Sequence, residues 1–399
     1  MQTVSQNLSR GVLVADWRNG GFGVYIHWPF CTAKCPYCDF NSHVAKSIDQ
    51  SSWKNAYLRE IDRYAELTSR RVLNSVFFGG GTPSLMDPET VHDILERIHY
   101  HWPKANNFEC TLEANPTSVD AGRFAGYATA GVNRISMGIQ SLRDDDLVGL
   151  GRMHTVAEAK QAFDIARDNF DRVSFDLIYA RQHQEPESWR VELKEALSMA
   201  VDHISAYQLT IEQGTAFGDR YNRGLLKGLP EDENAERMYD ITQEECAAAG
   251  MPRYEVSNHA APGQESIHNQ VYWKYGDYIG IGPGAHGRLT TQRGRYSTET
   301  HLAPEIWKNS VYEGKNIDSW THLSADDQLS EFVLMGMRMA SGISVHRLNG
   351  LSNGSFKLSK LSDLIEMGMI GESNGMLFAT QTGTKLLNQV IYHILDACE

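Results

Sequence analysis

Between residues 24 and 210 the chain alternates short β-rich runs with amphipathic helical stretches, and that alternation leaves few folds open. Strands are expected at 24–27, 75–78, 108–112, 134–138, 172–177 and 203–209, with helical periodicity at 53–67, 88–99 and 189–200. Local signals agree. Asp87-Pro88 sets an N-cap before a proline suited to the first helical turn, and Thr155 with Glu158 has capping-box spacing. Repeated βα units predict a parallel sheet, here an α/β fold of the partial (βα)6 TIM-like barrel kind. In such folds ligands meet the loops at the carboxyl ends of the strands.

Those loops hold the chain's unusual residues. Cys31, Cys35 and Cys38 follow the first expected strand as C-x-x-x-C-x-x-C. Structural zinc takes four protein ligands, whereas a reactive metal centre keeps a position open; iron–sulfur clusters are held by cysteine thiolates. Three thiolates fit a cluster with one free iron. They also fit half a zinc site completed by His27, Asp39 or His43. The aromatic neighbours Tyr25, Trp28, Phe30, Tyr37 and Phe40 would keep a redox centre dry. Gly79-Gly80-Gly81-Thr82-Pro83 follows the second strand, where missing Cβ atoms let backbone approach a ligand. Glu113, Gln140 and Asp176 lie at the ends of the third, fourth and fifth strands. Cys110, Cys246 and Cys398 follow no spacing and are expected to be small buried apolar residues, or in the case of Cys398 a tail residue.

With 399 residues the chain can bury a large core, and a net charge of −13 argues against nonspecific nucleic-acid binding. No apolar stretch is long enough for a bilayer and no signal-peptide layout opens the chain, so cytoplasmic residence is expected. The expected divisions are an N-terminal arm (1–23), the barrel (24–250), a Gly/Tyr-rich connecting segment (251–299) and a C-terminal domain (300–399). In the last, helices at 330–340 and 358–367, a short strand at 376–380 and a helix at 384–395 predict a helical, winged-helix-like unit serving as cover or docking surface.

The motifs YIHWPFC, CPYC, FFGGGTPS, LEANP, SMGIQS, GRMHT and FDLIYA stand in the order and spacing of the HemN/HemW family of the radical S-adenosylmethionine (SAM) superfamily, which the chain resembles from about residue 25 to 210. The resemblance implies that Cys31, Cys35 and Cys38 hold a 4Fe-4S cluster whose free iron is chelated by SAM. It implies SAM contacts at Tyr25, Gly80 and Glu113. Tyr37, Gly81, Thr82, Gln140, Arg152 and Asp176 match positions that contact a second SAM in the oxidase members. For Arg152 and Asp176 the ordinary alternative is a salt bridge at the barrel rim.

Within that family, oxygen-independent coproporphyrinogen III oxidases carry a fourth cysteine two residues after the third and a longer N-terminal arm; here Phe40 stands at that position. His268-Asn269-Gln270-Val271-Tyr272-Trp273 instead resembles the HNxxYW motif of the haem-chaperone branch, and an IGIGPGAH run ending at His286 also resembles it. Imidazole is a common axial ligand of haem iron, while Tyr272 and Trp273 offer flat apolar faces to a porphyrin. A hydrogen-bonded structural histidine is the alternative for His268. Two functions are thus in contention, beside a third reading as a radical SAM enzyme acting on some other substrate. One is a carrier that binds haem and delivers it to respiratory haem proteins, membrane-bound ones included. The other is an enzyme that cleaves SAM to a radical and oxidatively decarboxylates a porphyrinogen propionate. A homodimer is left open.

Overall fold

In the computed structural model, which describes residues 16–398, the strands expected from sequence pair into one sheet. They are β1 (Phe22–Trp28), β2 (Leu73–Gly80), β3 (Lys104–Ala114), β4 (Arg134–Gln140), β5 (Arg172–Tyr179) and β6 (His203–Gln208), all parallel and in chain order. Every residue of β1 except Tyr25 is buried, as expected of a parallel strand covered on both faces. Residues 1–15 of the expected N-terminal arm lie outside the described residues.

The helices between the strands carry one apolar face each. In α1 (Gln50–Leu67) Trp53, Ala56, Tyr57, Ile61, Tyr64 and Ala65 are buried at helical spacing, and Asp49 caps the first turn through Ser52 N–H at 3.1 Å. The next helix, α2 (Pro88–His101), starts on Pro88 as expected, but the Asp87 side chain makes no capping bond. After α3 (Ala121–Ala130), the capping box of Thr155 and Glu158 opens α4 (Val156–Asn169). Two further long helices follow, α5 (Pro186–Met199) and α6 (Asp232–Ala248), with short helices at Asp144–Gly149 and Ala216–Asn222.

The segment after the barrel is more than a connection. β7 (Asn258–Ala260) adds antiparallel to β6, and α7 (Ile267–Trp273) then leads to β8 (Asp277–Ile281), which pairs parallel with β1 on the opposite edge. From β8 the sheet continues antiparallel through β9 (His286–Thr291), β10 (Gly294–Thr300) and β11 (Asp318–His322). The order is therefore β11-β10-β9-β8-β1-β2-β3-β4-β5-β6-β7. Beyond residue 300, α8 (Pro304–Glu313) packs on α1, with Trp307 stacked on Trp53 at 5.9 Å and 3°. The separate C-terminal core begins at α9 (Ala325–Gly336) and includes Phe332, Val333, Leu348, Leu377 and Ile394. There a three-stranded sheet, β12 (Ile343–Ser344), β13 (Ile370–Ser373) and β14 (Met376–Ala379), packs with α10 (Leu387–Asp396), the wing-and-helix arrangement expected. Arg288 on β9 ties α9 to the large sheet through Glu331, with Nη2 2.9 Å from the carboxylate.

No described helix is long and apolar enough to cross a membrane.

Candidate functional site

The cysteine loop leaves the top of β1 and is fastened before it reaches α1. Phe30 and Cys31 pair in parallel with His43 and Val44, Ala45 N–H donates to Cys31 C=O at 3.2 Å, and Cys38 N–H donates to Cys35 C=O at 3.1 Å. The glycine run after β2 grips the same loop. Gly81 N–H donates to Trp28 C=O at 2.7 Å and Thr82 N–H to Phe30 C=O at 2.8 Å. A Cβ on Gly81 would lie 2.7 Å from Phe30 O and 3.0 Å from Cys31 Sγ; Gly80 has φ +111°, and its Cβ would meet the His27 ring at 2.6 Å. These glycines are required by close packing of two chain segments, beyond any ligand they receive.

Polar groups face the sulfurs. Thr82 Oγ1 donates to Cys31 Sγ at 3.4 Å, and Arg152 Nη1 lies 3.3 Å from Cys35 Sγ while its Nη2 donates to Gly138 C=O at 2.7 Å. Arg152 Nε is buried without a partner among the described residues. Burial pushes the thiols of Cys31 and Cys38 up, opposed at Cys31 by the Thr82 hydroxyl and at Cys38 by the Phe40 backbone. Three sulfur donors, Cys31 buried and Cys35 and Cys38 half-buried, with a facing guanidinium and an orphaned N–H, fit an electron-rich metal–sulfur group bearing a further ligand. The sulfurs line one pocket without converging: among the described residues no three His, Cys, Asp or Glu side chains are placed to hold a single ion.

That pocket, about 140 Å³, is lined by Cys31, Cys35, Cys38, Tyr37, Gly80, Gly81, Thr82, Glu113, Gln140, Arg152 and Asp176. It brings together every residue the resemblance implied for cluster and SAM except Tyr25. Gln140 reaches it from a left-handed conformation, φ +75°, where the β4–β5 register breaks. Arg152 and Asp176 face inward: Arg152 toward Cys35, and Asp176 toward the hydroxyls of Ser136 and Ser205.

Glu113, Ser136 and Asp176 also line a second cavity of about 190 Å³ deeper in the barrel, which Tyr25 borders. Of its remaining walls, Arg134, His203, Ser205, Tyr207 and Asn258 were not singled out in the sequence. Their signal was a period of two. Arg134, Ser136, Gly138 and Gln140 alternate along β4, Ser174 and Asp176 along β5, and His203, Ser205 and Tyr207 along β6. Glu113 is raised to about 8 by burial and then by the charge of Asp176, while Gly80 N–H, 3.2 Å from Oε2, opposes the rise. Asp176 is raised to about 6 by burial, against the pull of the Ser205 hydroxyl, Arg134 and Arg152. Two facing carboxylates of unequal acidity suit a cationic ligand with hydroxyl groups.

α7 floors this cavity. Ser266 caps it through Asn269 N–H at 3.3 Å, and Glu109 accepts from His268 N–H at 3.2 Å. His268 is 1 % exposed and its ring stacks on Phe77 at 4.9 Å and on Tyr25 at 6.3 Å. Nδ1 is 2.8 Å from Ser75 Oγ and Nε2 2.5 Å from Tyr272 OH, so both nitrogens are engaged. Burial, then Arg134, lowers its pKa to about 3, and the imidazole is neutral. Trp273 points elsewhere, its ring 5.8 Å from the Arg338 guanidinium on the C-terminal side.

Residues 25–193 match the model of the radical SAM superfamily and residues 323–386 that of the HemN C-terminal domain. The chain is 39% identical over 327 residues to the bovine mitochondrial radical S-adenosyl methionine domain-containing protein 1, covering 80% of this chain and 74% of that one. It is 36% identical to the heme chaperone HemW of Haemophilus influenzae, covering 92% of this chain and 96% of the relative, and 34% identical to that of Escherichia coli over the same shares. Among solved structures, coproporphyrinogen III oxidase (HemN) from Escherichia coli has the same fold, with TM-score 0.78 at 19% identity, covering 100% of this chain and 93% of that one. Superfamily membership implies a 4Fe-4S cluster and SAM. Taken with the pocket that gathers the three cysteines, these likenesses establish that the chain belongs to the HemW family of radical SAM proteins.

Proposed function

We propose that this protein is a haem chaperone: it binds haem and delivers it to respiratory haem proteins, and it carries a SAM-liganded 4Fe-4S cluster on Cys31, Cys35 and Cys38. The observation that carries this reading is likeness along nearly the whole length of bacterial haem chaperones, 96% of the Haemophilus influenzae relative. Phe40, where the oxidases of the resemblance keep a fourth cysteine, supports it. In this reading Tyr25, Gly80 and Glu113 hold SAM, with Tyr37, Gly81, Thr82, Gln140, Arg152 and Asp176 completing its pocket. When bound, such a cluster supplies an electron to the sulfonium of SAM. The chain's own residues exclude water around it, orient the ligand's hydroxyls and charged groups, and keep Arg152 against the cluster's sulfur. The acceptors are respiratory haem proteins met in the cytoplasm or at a membrane surface.

The test pairs two assays on anaerobically reconstituted protein. Titration with haemin is expected to give a saturable Soret band, whereas coproporphyrinogen III is expected to remain unconverted. Robust production of protoporphyrinogen IX would replace the carrier by the oxidase.

A further inference from the structure

The barrel interior is a poor place for a porphyrin. Its deeper cavity, about 190 Å³, is walled by Arg134, Glu113 and Asp176, whose charges an apolar ring would desolvate. His268 has no free nitrogen there. A different cleft, about 630 Å³, opens between the cysteine loop, β9 and α9, within the range of pockets that bury a sizeable ligand. Phe40, Tyr278, Leu302 and Met335 line it, and Tyr272 reaches it from below. Phe40 is 57% and Leu302 64% exposed, an apolar rim facing solvent beside the SAM pocket, with which the cleft shares Lys34 and Phe40.

His286 stands in this cleft on the first residue of β9. Its side chain is 57% exposed, and Nδ1 faces Glu299 Oε1 at 3.7 Å, which leaves Nε2 toward an incoming ligand. That separation exceeds a hydrogen bond, so among the described residues neither ring nitrogen of His286 is engaged and the imidazole is available to a metal. The turn that presents His286 is held to the cysteine loop. Asn41 Nδ2 donates to Pro283 C=O and Leu302 C=O, both at 2.9 Å, and a Cβ on Gly284 would strike Asn41 at 2.4 Å.

Resting on the haem-carrier reading above, we infer that haem occupies this outer cleft, with its iron on His286, its ring against Phe40 and Tyr278, and a propionate on Lys34. His268 then acts as a positioning residue, holding the Tyr272 hydroxyl at the base of the cleft. The Asn41 clasp couples the haem site to the cysteine loop.

The experiment titrates the full chain, cluster reconstituted, with haemin and separately with metal-free protoporphyrin IX. His286→Ala is expected to weaken haemin by about tenfold and convert its spectrum to one lacking the imidazole ligand, recovered by added imidazole, while protoporphyrin binding stays within about twofold. Phe40→Ala is expected to weaken both porphyrins. His268→Ala and Tyr272→Phe are expected to weaken both modestly and leave the iron's ligand signature intact. If His286→Ala keeps the wild-type spectrum and affinity, the assignment to His286 falls while the carrier stands. A change of ligand signature in His268→Ala or Tyr272→Phe alone would move the iron to the barrel floor and likewise overturn it. Absence of any haemin binding by the wild type would remove the carrier reading and this site together.

Discussion

The Arg152 guanidinium lies 3.3 Å from Cys35 Sγ, and its other terminal nitrogen is anchored on Gly138 C=O at 2.7 Å. A fixed positive charge is thereby held against a proposed cluster ligand from across the barrel. Arg152→Gln is expected to permit cluster assembly but lower the cluster's reduction potential, since the reduced, more negative state loses its nearest cation. Potentiometric titration followed by electron paramagnetic resonance reads this directly; an unchanged potential would dissociate Arg152 from the cluster.

Glu113 and Asp176 give SAM binding a pH dependence of definite sign. Their values of about 8 and about 6 mean that both are ionised only at the alkaline end, and a sulfonium- and ammonium-bearing ligand favours the ionised pair. SAM affinity is therefore expected to rise between about pH 6 and pH 8, with proton release. Calorimetry in buffers of different ionisation enthalpy measures both. Glu113→Gln is expected to flatten the rise and weaken SAM by about tenfold at pH 8.

The same pair sets an opposite trend in the ligand-free chain. Acids raised above their unfolded values bind more protons in the folded state, so stability falls as pH climbs from the ordinary carboxylate range through about 8. Glu113→Gln is expected to raise the melting temperature of the ligand-free protein at pH 8 by about 2–4 °C, a gain bought at the site's expense. Thermal unfolding at pH 5 and pH 8 checks it, and at pH 5 the gain is expected to vanish.

Gly81→Ala places a methyl 2.7 Å from Phe30 O and 3.0 Å from Cys31 Sγ. The cysteine loop must move, at a cost of about 1–3 kcal/mol, and iron content after reconstitution is expected to drop. Gly149→Ala, which meets nothing within 4 Å, serves as the control and is expected to retain both stability and iron.

Trp307 belongs to the large sheet's core although it lies beyond residue 300. It is fully buried and stacked on Trp53. Trp307→Ala is expected to cost about 3–5 kcal/mol in denaturant unfolding and to loosen α1, the helix that follows the cysteine loop. Hydrogen exchange over Gln50–Leu67 should report the loosening locally.

The barrel strands were legible because each is a short apolar run between helical stretches, with singular residues just past its end. The strands from β8 to β11 were not. Asp277–Ile281 is only five residues long, and its role depends on finding the open edge of β1, a partner more than two hundred residues earlier. The polar lining at Arg134, Ser136, Ser205 and Asn258 was hidden for a related reason: alternation along one strand marks a face, but only closure of the sheet says what that face surrounds.

Sequence by itself determined the cysteine trio, the βα order and the family, because loop spacing and strand–helix alternation are local properties carried by neighbouring residues. Tertiary structure decided which groups meet. It put Arg152 on Cys35, turned Glu113 toward Asp176 and used the glycines to seat the cysteine loop. It also separated two histidines that the sequence offered as a pair of haem-branch signals. His268 went to the barrel floor with both nitrogens bonded, because α7 packs beneath Tyr25 and Phe77, whereas His286 was left at an open cleft by a turn clasped to Asn41. Burial and hydrogen-bond satisfaction made that distinction, and neither is a property of a residue's chain neighbours alone.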